Sequence, residues 1–236
     1  MFDLRHGKYQ DVMQDVTCAA VIADPPYGAR THDGNADMGR FAKDGCERTN
    51  LSYAAWTPDD VAEFVQFWSP RTSGWITAMT SDDLIPVWRD CYSTAGRLDF
   101  APVPILQHRP RMGGDGPGSG AVYLMVARPR EKRFLSWGSL PCWYGPFSSA
   151  GALRGESHIG GKPVALMREI VRDYSRQGDI VADPCMSYGS TGAACIKDGR
   201  SFIGSEVNHD TFSTARSLLD PEHSPLFMPT QRTLIT

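Results

Sequence analysis

Residues 19–27 read Ala-Ala-Val-Ile-Ala-Asp-Pro-Pro-Tyr. An apolar run this short, halted by an acid and two prolines, reads as a buried parallel strand ending in a stiff turn. Proline has no N–H for the ladder and cannot continue a central strand. The pattern returns at Asp179–Ala182, a strand after Gly178 that stops at Asp183-Pro184. Between and around these strands, helical and extended segments alternate. Thr57-Pro58-Asp59-Asp60 starts a helix to about Ser69: a capping hydroxyl, proline at the first position and two acids at the positive end. It buries Val61, Phe64, Val65 and Trp68. Gly74–Thr80 reads as a strand, 82–95 as a short helix, and Phe100–Gln107 and Ala121–Arg128 as strands joined by a glycine-rich loop. Met167, Ile170, Val171 and Tyr174 give the i, i+3, i+4, i+7 stripe of a core-facing helix over 162–176. A helix to about Lys197, a strand Phe202–Ser205 and a helix Asn208–Leu219 follow. The N-terminus, MFDLRHGKYQDV, is polar and carries no element in this reading. Residues 28–50 read as a long loop and 131–160 as an irregular insertion. The fold expected is α/β, a doubly wound and mostly parallel sheet covered on both faces.

The chain has 236 residues, 41% hydrophobic and 10% aromatic with six Trp, which is enough to bury a core and excludes wholesale disorder. No run approaches a membrane span and no secretory signal is visible. The six cysteines form no CxxC pair, so finger-type metal spacing is absent and a disulfide framework is not expected. A net charge of −3 argues against binding nucleic acid by bulk charge alone, but leaves room for a local basic groove.

In open α/β sheets ligands bind outside the carboxyl ends of the strands, where Asp24 and Asp183 stand. Glu206 ends the next strand, 23 residues beyond Asp183, a spacing that suits a ribose diol. The turn Met186–Gly192 lets backbone approach a ligand at Gly189. Together these suggest an adenosine-containing cofactor, although βα turns also hold Asp, Gly and Pro for turn chemistry alone. In Asp24-Pro25-Pro26-Tyr27 the double proline holds a carboxylate and a carbonyl rigidly, two acceptors suited to an amine with two N–H groups. Tyr27 offers a face for stacking. The competing reading is a stiffened turn with a solvent-facing acid.

Four segments in this order are similar to an amino-group DNA methyltransferase family that uses S-adenosylmethionine. They are Asp24-Pro25-Pro26-Tyr27-Gly28, Gly160-Gly161-Lys162-Pro163, Asp183-Pro184-Cys185-Met186-Ser187-Tyr188-Gly189-Ser190-Thr191 and Phe202-Ile203-Gly204-Ser205-Glu206. Catalytic motif first and cofactor motifs last is the order of the beta class. The resemblance implies a single methyltransferase domain over 1–236: a catalytic half at 1–130, a target-recognition insertion at 131–157 and a cofactor half at 158–236. It implies catalysis at Asp24, Pro25, Pro26 and Tyr27. Cofactor contacts are implied at Asp24, Lys162, Pro163, Asp183, Pro184, Cys185, Ser187, Gly189, Ser190, Thr191 and Glu206. No metal is needed. An Asp before Pro-Pro-Tyr favours adenine N6, with cytosine N4 the alternative. Further implications are double-stranded DNA as partner, a homodimer or a cognate restriction enzyme as further partners, and a cytoplasmic setting in a bacterium or phage. The chain departs from the family pattern where Cys185, Ser187 and Tyr188 replace Phe, Gly and Ser. Ser187 cannot take a positive φ cheaply, and a catalytically weak DNA-binding or partner subunit is the reading of another class. For DNA, residues 108–133 hold six basic residues, Arg109, Arg111, Arg128 and Arg130 among them, against two acids, a local +4 that reads equally as a solvated surface. Trp137 and Trp143 read equally as residues that wedge or stack bases and as a small satellite core or a dimer contact.

Overall fold

A computed structural model describes residues 1–31, 54–111, 119–131, 137–147 and 161–220, except the side chains of 109–111. The strands are β1 (Phe2–His6), β2 (Cys18–Ala23), β3 (Thr72–Thr80), β4 (Arg97–Asp99), β5 (Val103–Arg111), β6 (Ser119–Pro129), β7 (Tyr144–Phe147), β8 (Ile180–Asp183) and β9 (Ser201–Glu206). The helices are α1 (Tyr9–Val12), α2 (Pro58–Trp68), α3 (Ile85–Thr94) after a 3₁₀ turn at Asp82–Leu84, α4 (Val164–Tyr174), α5 (Ser190–Lys197) and α6 (His209–Leu218). The strands make one sheet in the order β1-β9-β8-β2-β3-β6-β5-β7, with β4 paired to β6. From β1 to β3 every pairing is parallel; β6 runs antiparallel to β3 and β5.

β2 and β8 are neighbours, with Ala20 opposite Val181 and Val21 opposite Ala182. The period of two decides which layer each residue feeds. Ala20 and Ile22 pack with Met167, Ile170, Val171 and Tyr174 of α4. Val21 and Ala23 pack with Phe64 and Trp68 of α2 and Trp88 of α3. A strand buried on both faces has no polar alternation, which is why Cys18–Ala23 is apolar throughout. α2 opens with a capping box. The Thr57 amide donates to Asp60 Oδ2 at 2.8 Å and the Asp60 amide to Thr57 Oγ1 at 3.4 Å.

Four elements differ from the expectation. β1 forms in the polar N-terminus because Phe2 and Leu4 alternate onto the core while the backbone pairs with β9. The short α1 and β4 carried no period long enough to read. β7 forms within the insertion expected to be irregular. It pairs in parallel with β5, buries Tyr144, and the Tyr144 hydroxyl donates to Asp173 Oδ2 at 2.7 Å. β5 and β6 are also longer than expected. Pro104 lies opposite Tyr123, itself opposite Thr80 at the end of β3, and pairing continues to Arg111 and Ser119. The hairpin therefore projects about 13 Å beyond the carboxyl edge of the sheet. The loop expected at 28–50 lies outside the described residues from 32 on, as do 132–136, 148–160 and 221–236.

Candidate functional site

Because β2 and β8 are parallel neighbours, Asp24 and Asp183 leave the sheet at the same edge. A shallow cleft opens there, lined by both acids and by Gly161, Lys162, Met167, Cys185, Met186, Ser187, Tyr188, Ser190 and Thr191. The two acid-proline turns, 159 residues apart in sequence, face one space.

On the β2 side Asp24 is partly exposed, at 26%, and both its oxygens are engaged. Oδ2 pairs with Lys162 Nζ at 2.5 Å and Oδ1 accepts from the Tyr27 hydroxyl at 3.0 Å. Lys162 Nζ also lies 5.2 Å from the centre of the Tyr27 ring. Burial works against the Lys162 charge, but Asp24 and Tyr27 outweigh it and hold the ammonium above its ordinary range. Burial, then Asp24, pushes the Tyr27 hydroxyl up as well, so it stays a donor. Pro25 is buried and Pro26 half-buried. The Lys162 carbonyl accepts from Ser190 Oγ at 2.9 Å, tying the start of α4 to the start of α5, and Pro163 is the N-cap of α4.

On the β8 side Asp183 is buried at 2%. Its oxygens accept from the Cys185 amide at 3.0 Å and the Thr191 hydroxyl at 2.6 Å. Burial dominates, assisted by the nearby Asp24 and Glu206 charges, and pushes this carboxyl up to about 7. Burial also lifts the Cys185 thiol well above its usual range, which leaves it an unreactive thiol. The Pro184 carbonyl accepts from the buried Ser205 hydroxyl at 3.0 Å. The turn then passes through Ser187, at φ 49 the one non-glycine residue with positive φ among those described, and Gly189 at φ 83. A Cβ on Gly189 would stand 2.2 Å from Leu219, so both conformation and space demand glycine there. Ser187 thus takes the positive φ of this turn at the expense of strain. Tyr188 turns inward against Ala193 and Leu219. Glu206 ends β9 at the same edge without lining the cleft; its Oε1 accepts from the Asn208 amide at 2.8 Å. Burial raises its carboxyl, against backbone N–H groups of Asn208, Ser187 and Val207.

The residues read as contacts to DNA are not brought together. Arg109 and Arg111 stand on the hairpin arm beyond the carboxyl edge. Ala127 pairs with Ile76 and Arg128 with Leu98, so Arg128 and Arg130 lie toward the amino edge, away from Asp24. Their guanidinium groups bond the carbonyls of Pro129 at 3.0 Å and Arg97 at 3.1 Å. Trp137 packs edge-on to Trp75 at 5.7 Å, with Arg176 3.7 Å over its ring, the satellite-core alternative. Trp143 is 52% exposed beside β7. Ser81 and Asp83, which belong to none of the sequence motifs, also brace Gly28 at the edge of this site. The signal existed, since Asp82-Asp83 is a third acidic step just past a strand end.

The family described as DNA methylase, of the N6/N4 type, matches residues 130–217. Among curated relatives, the DNA adenine methyltransferase YhdJ of Escherichia coli (strain K12) is 42% identical over 65 residues, 28% of this chain and 22% of that protein. The aligned stretch thus spans about a fifth of that relative's length. Among solved structures, the M1.HpyAVI–SAM complex superposes with a TM-score of 0.65 at 21% identity, over 93% of this chain and all of that one. The cytosine-N4-specific PvuII DNA methyltransferase superposes with a TM-score of 0.61 at 10% identity, over 91% of this chain and 84% of that one. These likenesses establish a Rossmann-like methyltransferase fold. With the family match over residues 130–217 and the order of the acid-proline motifs, they make the chain similar to the N6/N4 amino-methyltransferases.

Proposed function

We propose that this protein methylates DNA, moving a methyl group from S-adenosylmethionine to the exocyclic amine of a flipped base, adenine N6. The observation that carries this reading is the single cleft bounded by both Asp24 and Asp183. Two carboxylates in its wall, with Met167, Met186 and Tyr188, suit a cation carried on an apolar chain. Lys162, Pro163, the turn Asp183–Thr191 and Glu206 would hold the cofactor. When bound, it supplies an electrophilic methyl on a sulfonium cation.

The chain's own residues prepare the amine. An exocyclic amine is a poor nucleophile because its lone pair is delocalised into the ring. Two acceptors, the Asp24 carboxylate and the Pro25 carbonyl, take its two N–H bonds and favour a pyramidal nitrogen with an outward lone pair. Lys162 and Tyr27 each hold one Asp24 oxygen and so fix the carboxylate plane. A carboxylate has about four acceptor positions, so two remain for the amine. Asp24 also takes up the proton that the nitrogen sheds after transfer. A base inside a duplex cannot reach this cleft, so it enters flipped, over the Tyr27 ring. The projecting β5–β6 arm, with Arg109 and Arg111 at its far end, supports duplex binding on the same side.

The test is incubation with methyl-labelled S-adenosylmethionine and unmethylated genomic DNA, followed by nucleoside analysis. Label in N6-methyladenine is expected. Label in N4-methylcytosine overturns the base and keeps the reaction; no label in DNA with the cofactor bound overturns the reading.

A further inference from the structure

The catalytic turn is held from a strand that carries none of the cofactor or catalytic residues. Ser81 follows β3 and occupies the N-cap position of the 3₁₀ turn Asp82–Leu84, yet its side chain makes no capping hydrogen bond. A buried serine at a helix start ordinarily satisfies that helix's own amides. Here the hydroxyl is turned away. Ser81 Oγ accepts from the Gly28 amide at 3.0 Å and donates to Asp83 Oδ1 at 2.5 Å. The carboxylate also fills the space beside Gly28: a Cβ there would stand 2.1 Å from Asp83 Oδ2. The preceding peptide is fixed too, since the Tyr27 carbonyl accepts from the Trp56 amide at 3.0 Å. Pro25 and Pro26 leave little freedom between Asp24 and Tyr27. The position of Gly28 therefore sets where the Tyr27 ring and hydroxyl fall relative to Asp24.

We infer that Ser81 and Asp83 are positioning residues for the Asp24–Tyr27 turn, acting through the charge-assisted chain from the Gly28 amide to the Ser81 hydroxyl to the Asp83 carboxylate. They touch neither base nor cofactor. Their effect belongs on the methyl-transfer step, because a misplaced acceptor pair costs orientation rather than cofactor affinity. This inference rests on the methyltransferase reading, which wild-type turnover tests by itself.

The experiment compares wild type with Ser81→Ala, Ser81→Thr and Asp83→Asn. It measures single-turnover methyl transfer, S-adenosylmethionine binding by calorimetry, and exchange of the Gly28 amide in the free protein. Ser81→Ala is expected to slow transfer about tenfold or more while cofactor affinity changes less than about threefold. Gly28 exchange should quicken by about tenfold or more. Ser81→Thr keeps the hydroxyl and should restore both; Asp83→Asn should fall between. Turnover within about twofold of wild type in Ser81→Ala, or an unchanged Gly28 exchange rate, overturns the inference. An inactive wild type fails the methyltransferase reading instead, and the exchange comparison still decides whether Ser81 holds the turn.

Discussion

Asp24-Pro25 and Asp183-Pro184 are the same dipeptide at the same edge of neighbouring parallel strands, yet their surroundings drive them to opposite chemistry. Asp24 is partly open to the cleft and has a lysine ammonium on one oxygen. Asp183 is sealed in, and its hydrogen bonds are to an amide and a hydroxyl, both neutral. Neutral donors in an apolar wall make protonation of Asp183 competitive near pH 7. One acid opens onto the cleft and the other organises a turn. What separates them is the side chains that come to meet them and the register, which sets Asp183 level with Ile22 and leaves Asp24 two residues further out.

The largest effect should come from breaking the open acid. Asp24→Asn keeps the shape and removes the charge, and turnover of labelled methyl into DNA should fall about 10³-fold with the fold retained by circular dichroism. Activity near wild type would remove Asp24 from the mechanism.

Breaking the sealed acid should damage the fold as well as the site. Asp183→Ala leaves the Thr191 hydroxyl and Cys185 amide without their acceptor, at about 3 kcal/mol in chemical denaturation, with cofactor binding lost. A loss of activity at unchanged stability would mean that Asp183 resembles Asp24 after all.

The third contrast is pH dependence. The folded Asp183 carboxyl titrates at about 7, well above an unfolded value near 3.8. The folded state therefore binds more protons between these values, so the contribution of Asp183 to stability is greatest below about pH 4 and is lost as pH rises to about 7. A cationic cofactor favours the ionised acid, so its affinity should be about tenfold weaker at pH 6 than at pH 8, with proton release below pH 7. Calorimetry in buffers of different ionisation enthalpy measures both. Asp183→Asn should flatten the dependence, and an unchanged slope would place the titrating group elsewhere.

The smallest effect concerns the strained turn that Asp183 organises. Ser187→Gly relieves a positive φ and should stabilise the protein by about 1 kcal/mol, read from the denaturation midpoint. A destabilised variant would show that the Ser187 side chain contributes more than its strain costs.

Much of this site could be read from the chain, because each motif is a local backbone device. The apolar run before Asp24, the capping residues of α2 and the stripe on α4 each follow from periodicity over a few turns. A serine at 187 conflicts with a positive φ by residue type alone, and it is the residue that adopts one. The failures are non-local. β7 needs β5 beside it to become a strand, and Trp137 needs Trp75 beneath it to become core rather than a nucleic-acid contact. Arg109 and Arg128 are near in sequence, but the hairpin sends them toward opposite ends of the sheet.

The sequence by itself determined the order of the motifs, the α/β class and the identity of the two acid-proline turns. Those depend on residue type, on proline's missing N–H and on spacings within one strand or helix. Only the tertiary structure decided that β2 and β8 are neighbours, that Lys162 meets Asp24 across 138 residues of chain, and that Ser81 turns to Gly28 instead of capping its own helix. Strand order, long-range ion pairs and burial depend on which surfaces pack together, and burial then raises the Asp183 carboxyl.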